Sequence, residues 1–323
     1  MALQIIDDSS TTDPKYGSDP YQRDIASLLD AGVILVNKPR GPSSHQLTAW
    51  AREMLGMQRL GHGGTLDPFA TGLLTMLCGR ATRLTDMVLT GDKRYVAVLR
   101  FGKAVEESDL IPLLENLTGE IYNVPPLESA VKVQVRTRII HEMKLIDSEG
   151  DSRIFALTIS CNAGTYIRTL ARDMGLLSGT SCELMELHRD YTGSFNQSNA
   201  CTMQQLTDAV FLWREHDDDR ALRHLIAPVE SILNHIPKIV IKDGATAAIS
   251  HGAALTRPGI VGIDDSIEKG SLVVLQSLKG EAVAIAETNF SATKITSIEY
   301  GEVARPKVVL MPAGTYPQTW SKQ

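Results

Sequence analysis

The sequence predicts a two-domain protein of mixed helix and strand class that ends in a small β-barrel. The chain has 323 residues, enough for two domains, and 43% of them are hydrophobic. Residues 25–236 combine short apolar strands with segments in which apolar residues recur at helical spacing. From Pro237 onward, short apolar runs are separated by glycines, which is typical of a small barrel built from many short strands.

Local patterns predict the elements of the larger domain. The segment GVILVNKPRG (32–41) is an apolar strand closed by a Lys-Pro-Arg-Gly turn. Residues 44–56 have helical apolar spacing, with Ser43 or Ser44 as the N-cap. The other predicted elements are strands at 94–102 and 153–161 and helices at 104–118, 165–175 and 202–216.

Composition excludes several classes of protein. No stretch reaches the 18 apolar residues that a membrane span requires, and the acidic, polar N-terminus predicts a cytoplasmic protein. The cysteines form no CxxC pair or zinc-site spacing, so we expect reduced, buried thiols, no metal site and no cofactor. They are Cys78, Cys161, Cys182 and Cys201.

Net charge bears on RNA binding, because phosphate neutralisation usually needs a basic surface. The chain carries a formal charge of −6, and residues 237–323 hold nine lysines or arginines against eight acidic residues. If the protein binds RNA, its basic residues must therefore be clustered locally, or partners must supply part of the basic surface.

The glycine-rich segment GHGGTLDPFATGLL (61–74) holds the main candidate for chemistry, Asp67. Asp67 directly precedes Pro68, and this pair commonly begins a helix with Asp as the N-cap, so the residues alone favour a capping role. Phosphate binding by the glycines is a weaker alternative, since the Lys-Ser/Thr of a P-loop does not follow.

The whole segment resembles the active-site motif of the bacterial tRNA uridine-55 pseudouridine synthases and their dyskerin relatives. This resemblance implies that Asp67 is the catalytic aspartate. It also implies an α+β pseudouridine synthase fold, with a mixed, largely antiparallel sheet flanked by helices, followed by a β-barrel PUA domain. No cofactor or metal is implied, because the isomerisation involves no net redox change.

Further segments resemble the family's motifs in the same order. They are NKPRGPSSH (37–45) with Lys38, KRYVAVLRFG (93–102) with Tyr95, NAGTYIRTLARDMG (162–175) with Tyr166 and Arg168, and LMELHRDYTGSF (184–195) with Leu187.

The resemblance implies a role for each of these residues. Asp67 attacks C1′ of the uridine or removes a proton from its 2′ side, and the sequence leaves both paths open. Arg168 pairs with Asp67, and Tyr166 holds a hydrogen bond near that pair. Tyr95 stacks on the base and takes the C5 proton. The remaining two residues are Leu187, which lines the pocket, and His62, which helps to displace the base.

The C-terminal part resembles the archaeal and eukaryotic H/ACA branch of the family. IVIKDGATAAISHGAALTRPGIVGID (239–264) and EKGSLVVLQSLKGEAVAIAET (268–288) resemble its PUA domain. We therefore predict an N-terminal arm packed on the PUA domain, a catalytic domain and the PUA domain. Their bounds are 1–24, 25–236 and 237–323. The predicted RNA-binding residues are Lys38, Lys132, His251, Gly252 and Lys279.

The branch implies a catalytic subunit that acts on a target uridine selected by a guide RNA. The implied partners are guide RNA, substrate RNA and three small proteins: a zinc-ribbon-type subunit, a glycine/arginine-rich-type subunit and a kink-turn-binding subunit like a ribosomal protein. Two alternatives stay open, namely a stand-alone tRNA uridine-55 synthase and a non-catalytic RNA-binding scaffold. Departures from the family pattern at Asn37, His188, Asp190 and Ser194 weaken RNA electrostatics rather than chemistry.

Overall fold

The computed structural model describes residues 2–125, 134–149 and 151–318. Within these ranges the first strands are β1 (Leu3–Ile5), β2 (Gly32–Lys38), β3 (Leu60–His62), β4 (Thr71–Cys78), β5 (Lys93–Phe101), β6 (Gly119–Asn123), β7 (Arg136–Ser148), β8 (Ile154–Cys161), β9 (Cys182–Thr192) and β10 (Phe195–Asn196). The later strands are β11 (Ile226–Pro228), β12 (Lys238–Ile241), β13 (Leu255–Thr256), β14 (Ile260–Asp264), β15 (Leu272–Ser277), β16 (Ala282–Thr288) and β17 (Glu302–Val309).

A side-chain cap begins three of the helices that the structure describes. The described helices are α1 (Ile25–Asp30), α2 (Ser44–Met54), α3 (Thr85–Thr90), α4 (Glu107–Asn116), α5 (Ile167–Leu177), α6 (Met203–His216), α7 (Arg220–Leu225), α8 (Asp243–Ser250) and α9 (Ala292–Ser297). Ser43 forms a capping box with Gln46 at α2, and Thr202 does the same with Gln205 at α6. The predicted cap of the first of these helices is thereby confirmed as Ser43.

The described residues form two compact units, and the larger comprises residues 34–76 and 84–218. Its sheet runs in the order β2-β4-β9-β5-β8-β7-β6, with β3 beside β4 and β10 beside β9. Strand β4 pairs with β9 in parallel, whereas β5 pairs antiparallel with both β8 and β9. The predicted mixed, largely antiparallel sheet is confirmed.

The core of this unit lies between the sheet and helices α4 and α5. Strand β8 shows why, because its residues alternate between buried and half-buried along the strand. Helix α5 buries Ile167, Leu170, Ala171 and Met174, which recur at helical spacing, against the same core. Helix α5 also carries Arg168, which belongs to the candidate site.

The second unit comprises residues 1–33, 77–83 and 219–323. Its sheet has the order β1-β14-β12-β15-β16-β17-β13, and a core of short apolar runs packs inside it. N-terminal residues belong to this unit, since β1 pairs with β14 and Glu281 accepts a hydrogen bond from the backbone of Ser18. The predicted boundaries at 24/25 and 236/237 stay a prediction.

Three expectations concern general properties of the chain. In the described ranges, no helix is long and apolar enough to cross a membrane. The four cysteines are free thiols, and burial raises the pKa of Cys78 and of Cys182 to about 12, so both remain protonated. Among the described residues, no cluster of His, Cys, Asp or Glu forms a metal-binding group.

Candidate active site

The candidate site is built on the loop that joins β3 to β4 and carries Asp67. Pro68 and Phe69 form a turn, closed by a hydrogen bond of 3.1 Å from the Ala70 amide to the Asp67 carbonyl, and strand β4 follows. No helix begins here, so the interpretation of Asp67 as an N-cap is wrong. An Asp-Pro pair suits the start of a turn as well as the start of a helix, and the neighbouring strands select the turn.

Asp67 and Arg168 form a two-pronged ion pair. Arg168 Nε lies 2.9 Å from Asp67 Oδ2, and its Nη2 donates to Oδ1 at 3.0 Å. The two side chains keep 33% and 31% of their surface exposed, so the pair is held in place yet open to a ligand. Charged fork-like pairs of this kind fix a carboxylate's orientation. The predicted pairing of these two residues is present.

The loop is anchored by the segment between β2 and α2. The Lys38 ammonium donates to the carbonyls of Ala70 at 2.7 Å, Pro39 at 3.0 Å and Pro68 at 3.3 Å. The buried Ser44 hydroxyl accepts from the Leu66 amide at 2.9 Å. These hydrogen bonds hold the loop in place on both sides of Asp67.

The prediction that Lys38 binds RNA is therefore corrected. Its side chain is fully buried, and its donors are used by backbone carbonyls, so it cannot reach a phosphate. Burial lowers the pKa of Lys38, and the nearby Asp67 carboxylate partly offsets this shift. Its role in this structure is to fix the loop.

Replacing Lys38 by methionine tests this reassignment. We expect the free energy of unfolding to fall by about 2–4 kcal/mol, because three backbone carbonyls lose the donor that the buried ammonium supplies. Denaturant unfolding would measure this loss. A residue whose only role is to bind RNA would instead leave stability unchanged and weaken RNA affinity, and that result would contradict the reassignment.

Tyr95 lies in β5 directly across from Arg189 of β9, a residue that the sequence analysis did not single out. Arg189 is 1% exposed, and its guanidinium donates to the carbonyls of Leu73 at 2.9 Å and Gly64 at 3.0 Å. Burial raises the pKa of Tyr95, while the Arg189 guanidinium opposes the rise. The local sequence does not show that this arginine is buried, because β9 contains both polar and apolar residues.

His62 forms a pair with His45, another residue that the sequence analysis passed over. His62 Nε2 lies 3.4 Å from Nδ1 of His45, and the rings meet edge to face with centroids 4.8 Å apart. Burial lowers the pKa of His62, and the cationic forms of His45 and Arg189 lower it further. The neutral imidazole is therefore favoured.

Tyr166 and Leu187 complete the predicted set. Tyr166 immediately precedes α5, where the buried Asn123 side chain accepts from its amide at 2.8 Å and donates to its carbonyl at 3.3 Å. These two hydrogen bonds fix the backbone at the start of the helix that carries Arg168. Leu187 is 7% exposed and packs in the core cluster that also contains Leu66.

An open cavity of about 420 Å³ lies beside the ion pair. Its walls include Arg168, Arg40, Phe69 and Leu184. This combination of a positioned carboxylate, an arginine, aromatic surface and apolar wall can hold a planar, polar ring against Asp67. The site therefore has room for a nucleobase.

The other predicted RNA-binding residues are elsewhere in the chain. Lys132 lies outside the described residues. His251 and Gly252 are exposed just after α8, and the Nδ1 of His251 is 2.9 Å from the Ala247 carbonyl. The Lys279 ammonium donates to the carbonyls of Asp13, at 3.0 Å, and Tyr16, so it ties down the N-terminal segment. RNA binding by His251, Gly252 and Lys279 stays a prediction.

Comparison with known proteins identifies the family. The model of the TruB family pseudouridylate synthase N-terminal domain matches residues 52–167, and that of the tRNA pseudouridylate synthase B C-terminal domain matches residues 168–234. The DKCLD model matches residues 4–48 and the PUA model residues 237–310. The chain is 40% identical over 320 residues to a protein of Methanothermobacter thermautotrophicus named "Probable tRNA pseudouridine synthase B", covering 99% of this chain and 98% of that protein.

The chain belongs to the TruB family of pseudouridylate synthases. A relative of Methanocaldococcus jannaschii with the same name is 39% identical, covering 99% of this TruB-family chain and 94% of that protein. The DKCLD match places it in the dyskerin-type branch, as the sequence predicted. It is a pseudouridine synthase.

Solved structures agree in fold over nearly the whole chain. One, an H/ACA ribonucleoprotein bound to a substrate RNA containing 2′-deoxyuridine, has a chain 33% identical to this synthase at a TM-score of 0.91, covering 99% of this chain and 97% of that one. Another, a Cbf5-Nop10-Gar1 complex, gives 35% identity and a TM-score of 0.89, with coverages of 98% and 96%. The predicted pseudouridine synthase fold with a PUA domain is confirmed.

Proposed function

We propose that this synthase isomerises selected uridines of ribosomal and transfer RNA, as the catalytic subunit of a guide-RNA-directed H/ACA ribonucleoprotein. The observation that carries the proposal is the fork-like pair of Asp67 and Arg168 at the edge of an open cavity. Relatives with this fold occur in an H/ACA ribonucleoprotein with substrate RNA and in complexes with Nop10 and Gar1.

Asp67 is the proposed catalyst. The two contacts with Arg168 hold its carboxylate in one orientation, and a third of its surface remains exposed. An ionised carboxylate in this position can attack C1′ or remove the 2′-side proton, and either step leads to cleavage of the bond from C1′ to N1. The base then turns and is rejoined through C5.

The remaining side chains hold the base. Tyr95 offers its ring for stacking, and the buried Leu187 closes the apolar side. The neutral His62 can enter the stack that the target base leaves, which lowers the cost of extruding a base from folded RNA. Tyr166 supports Arg168 through the start of α5.

Guide dependence fits the charge of the chain. Its formal charge is −6, and Lys38 is buried and therefore contributes nothing to phosphate binding. A guide that pairs with the target would supply sequence recognition, and protein partners would supply RNA-binding surface. We include the three small subunits named above among these partners, and we assign His251, Gly252 and Lys279 to the guide.

The proposed location is the cytoplasm, which suits an RNA substrate and free thiols.

Two alternatives compete with this proposal. A stand-alone tRNA synthase is supported by the name of the Methanothermobacter relative. A non-catalytic scaffold would require a purely structural Asp67, and the carboxylate caps no helix.

Pseudouridine formation on two substrates separates the proposal from these alternatives. We expect conversion of a target paired with its guide in the presence of the small subunits, and conversion at least about a hundredfold slower on a bare tRNA stem-loop, because an unguided target is poorly positioned. Equal rates on the bare stem-loop would instead establish the stand-alone enzyme. Absence of product on both substrates would establish the scaffold.

A further inference from the structure

Arg189 is the most completely buried arginine beside the candidate site. Only 1% of its surface is exposed, and its guanidinium donates to the carbonyls of Leu73 and Gly64. In the ranges that the structure describes, no ion pair joins it to a carboxylate, whereas the exposed Arg94 pairs with Asp190. A buried cation without a counter-charge is costly, so a role beyond packing is expected of it.

The strand register brings Arg189 to Tyr95. Tyr95 and Arg189 are direct partners across β5 and β9, and Gly72 is the partner of Arg189 on the other side, in β4. Direct partners project their side chains from the same face of a sheet. The pairing therefore places the Arg189 and Tyr95 side chains on the same face of the sheet, and the guanidinium acts to lower the pKa of the phenol.

Arg189 also reaches the loop of Asp67. The carbonyl that it binds at 3.0 Å belongs to Gly64, three residues before Asp67. Gly64 has a φ of +105°, which side-chain-bearing residues rarely adopt, so the glycine and the guanidinium together fix the direction of this carbonyl. One buried side chain thus connects the loop of the catalytic carboxylate, β4 and the phenol.

Burial is the largest cause that raises the pKa of Tyr95, and three charged or titratable groups act on it in opposite directions. Asp67 and Cys161 favour the neutral phenol, and Arg189 favours the phenolate. A charge acts strongly across a short, water-poor distance. Arg189 is therefore the group in this set that makes loss of the Tyr95 proton easier.

We propose that Arg189 is a positioning residue that holds the Tyr95 hydroxyl and stabilises its ionised form, so that Tyr95 accepts the C5 proton in the last step of the reaction. The proposal rests on the proposed function. In this step the C5–H bond breaks and its electron pair forms the C5=C6 double bond. The C6=N1 pair moves to N1, which takes a proton from water, and the C5 proton passes to the phenolate oxygen.

The test follows the C5 hydrogen directly. The assembled ribonucleoprotein is given a guide-paired target that carries tritium or deuterium at C5 of the uridine, in single-turnover reactions from pH 6 to pH 10. Tritium release reports cleavage of the C5–H bond, and the deuterium isotope effect reports whether that cleavage limits the rate. The variants are Arg189→Gln, Arg189→Lys and, as a matched control, Arg94→Gln.

In Arg189→Gln we expect tritium release at neutral pH to slow by about tenfold or more, since a shift of one pKa unit changes the phenolate fraction tenfold. The rate should recover at higher pH, and the isotope effect should exceed that of the wild type. Arg189→Lys retains a cation and should retain the pH profile of the wild type at a lower rate. Arg94→Gln removes an exposed arginine of the same sheet and should change neither quantity.

A rate that falls equally at every pH, with no rise in the isotope effect, would show a structural role and overturn the proposal. If Arg189→Gln does not fold, Arg189→Lys provides the test. A pH profile shifted from that of the wild type in Arg189→Lys would contradict the proposal that the positive charge at this position stabilises the phenolate. If the wild type releases no tritium from guide-paired or bare RNA, the proposed function fails together with this proposal.

Discussion

Asp67→Asn is expected to reduce pseudouridine formation by at least about a thousandfold, because the amide can neither attack C1′ nor remove a proton. The melting temperature should change little, since Asp67 caps no helix and keeps a third of its surface exposed. Single-turnover product formation and a thermal melt measure the two quantities. Loss of activity with retention of the fold would separate a catalytic role from a structural one.

Asp190→Asn is the matched control. Asp190 forms a similar two-pronged pair with Arg94, at 3.0 and 2.7 Å, on the same sheet. Its loss should leave activity within about threefold of the wild type, since exposed pairs contribute little. Substantial activity in Asp67→Asn, or equal losses in both variants, would remove Asp67 from the mechanism.

Arg168→Lys is expected to lower the rate of the chemical step by about a hundredfold. Lysine keeps the charge, but it cannot make the two contacts of 2.9 and 3.0 Å that orient both oxygens of Asp67. A displacement of the catalytic group of about 1 Å is enough for a loss of this size. Single-turnover rates at saturating enzyme distinguish this loss from weaker RNA binding.

Arg172→Lys, one turn further along α5, provides the comparison. Arg172 is exposed and pairs only with its neighbour Asp173 in the described part of the chain, so its replacement should leave the rate unchanged. If Arg168→Lys raises the RNA concentration needed for half-maximal rate without slowing the step itself, Arg168 binds RNA and does not orient Asp67.

Local sequence patterns predicted most elements of the fold. The helix after Ser43 and the strand at 94–102 appear within one or two residues of their predicted bounds, because their caps and apolar periods are local. The parallel pairing of β4 with β9 had no local signal. It joins Thr71 to His188, residues far apart in sequence, and such pairing depends on the packing of the whole unit.

Only part of the candidate site was predicted from the sequence. The motif resemblance named Asp67 and Arg168, and the structure pairs them. The residues alone favoured a helix cap at Asp67, because they did not show that a strand follows the Asp-Pro turn. Arg189 and His45 were missed, since the sequence shows a residue's type and not what surrounds it.

The sequence by itself determined the family, the order of the elements and the carboxylate that we propose as the catalyst, because contiguous motifs carry this information. Only the tertiary structure decided which cations are available to RNA and which hold the site together. Lys38 and Arg189 are buried, with their donors committed to backbone carbonyls around Asp67. Burial and hydrogen bonding depend on strands brought together from distant parts of the chain, and no local pattern encodes them.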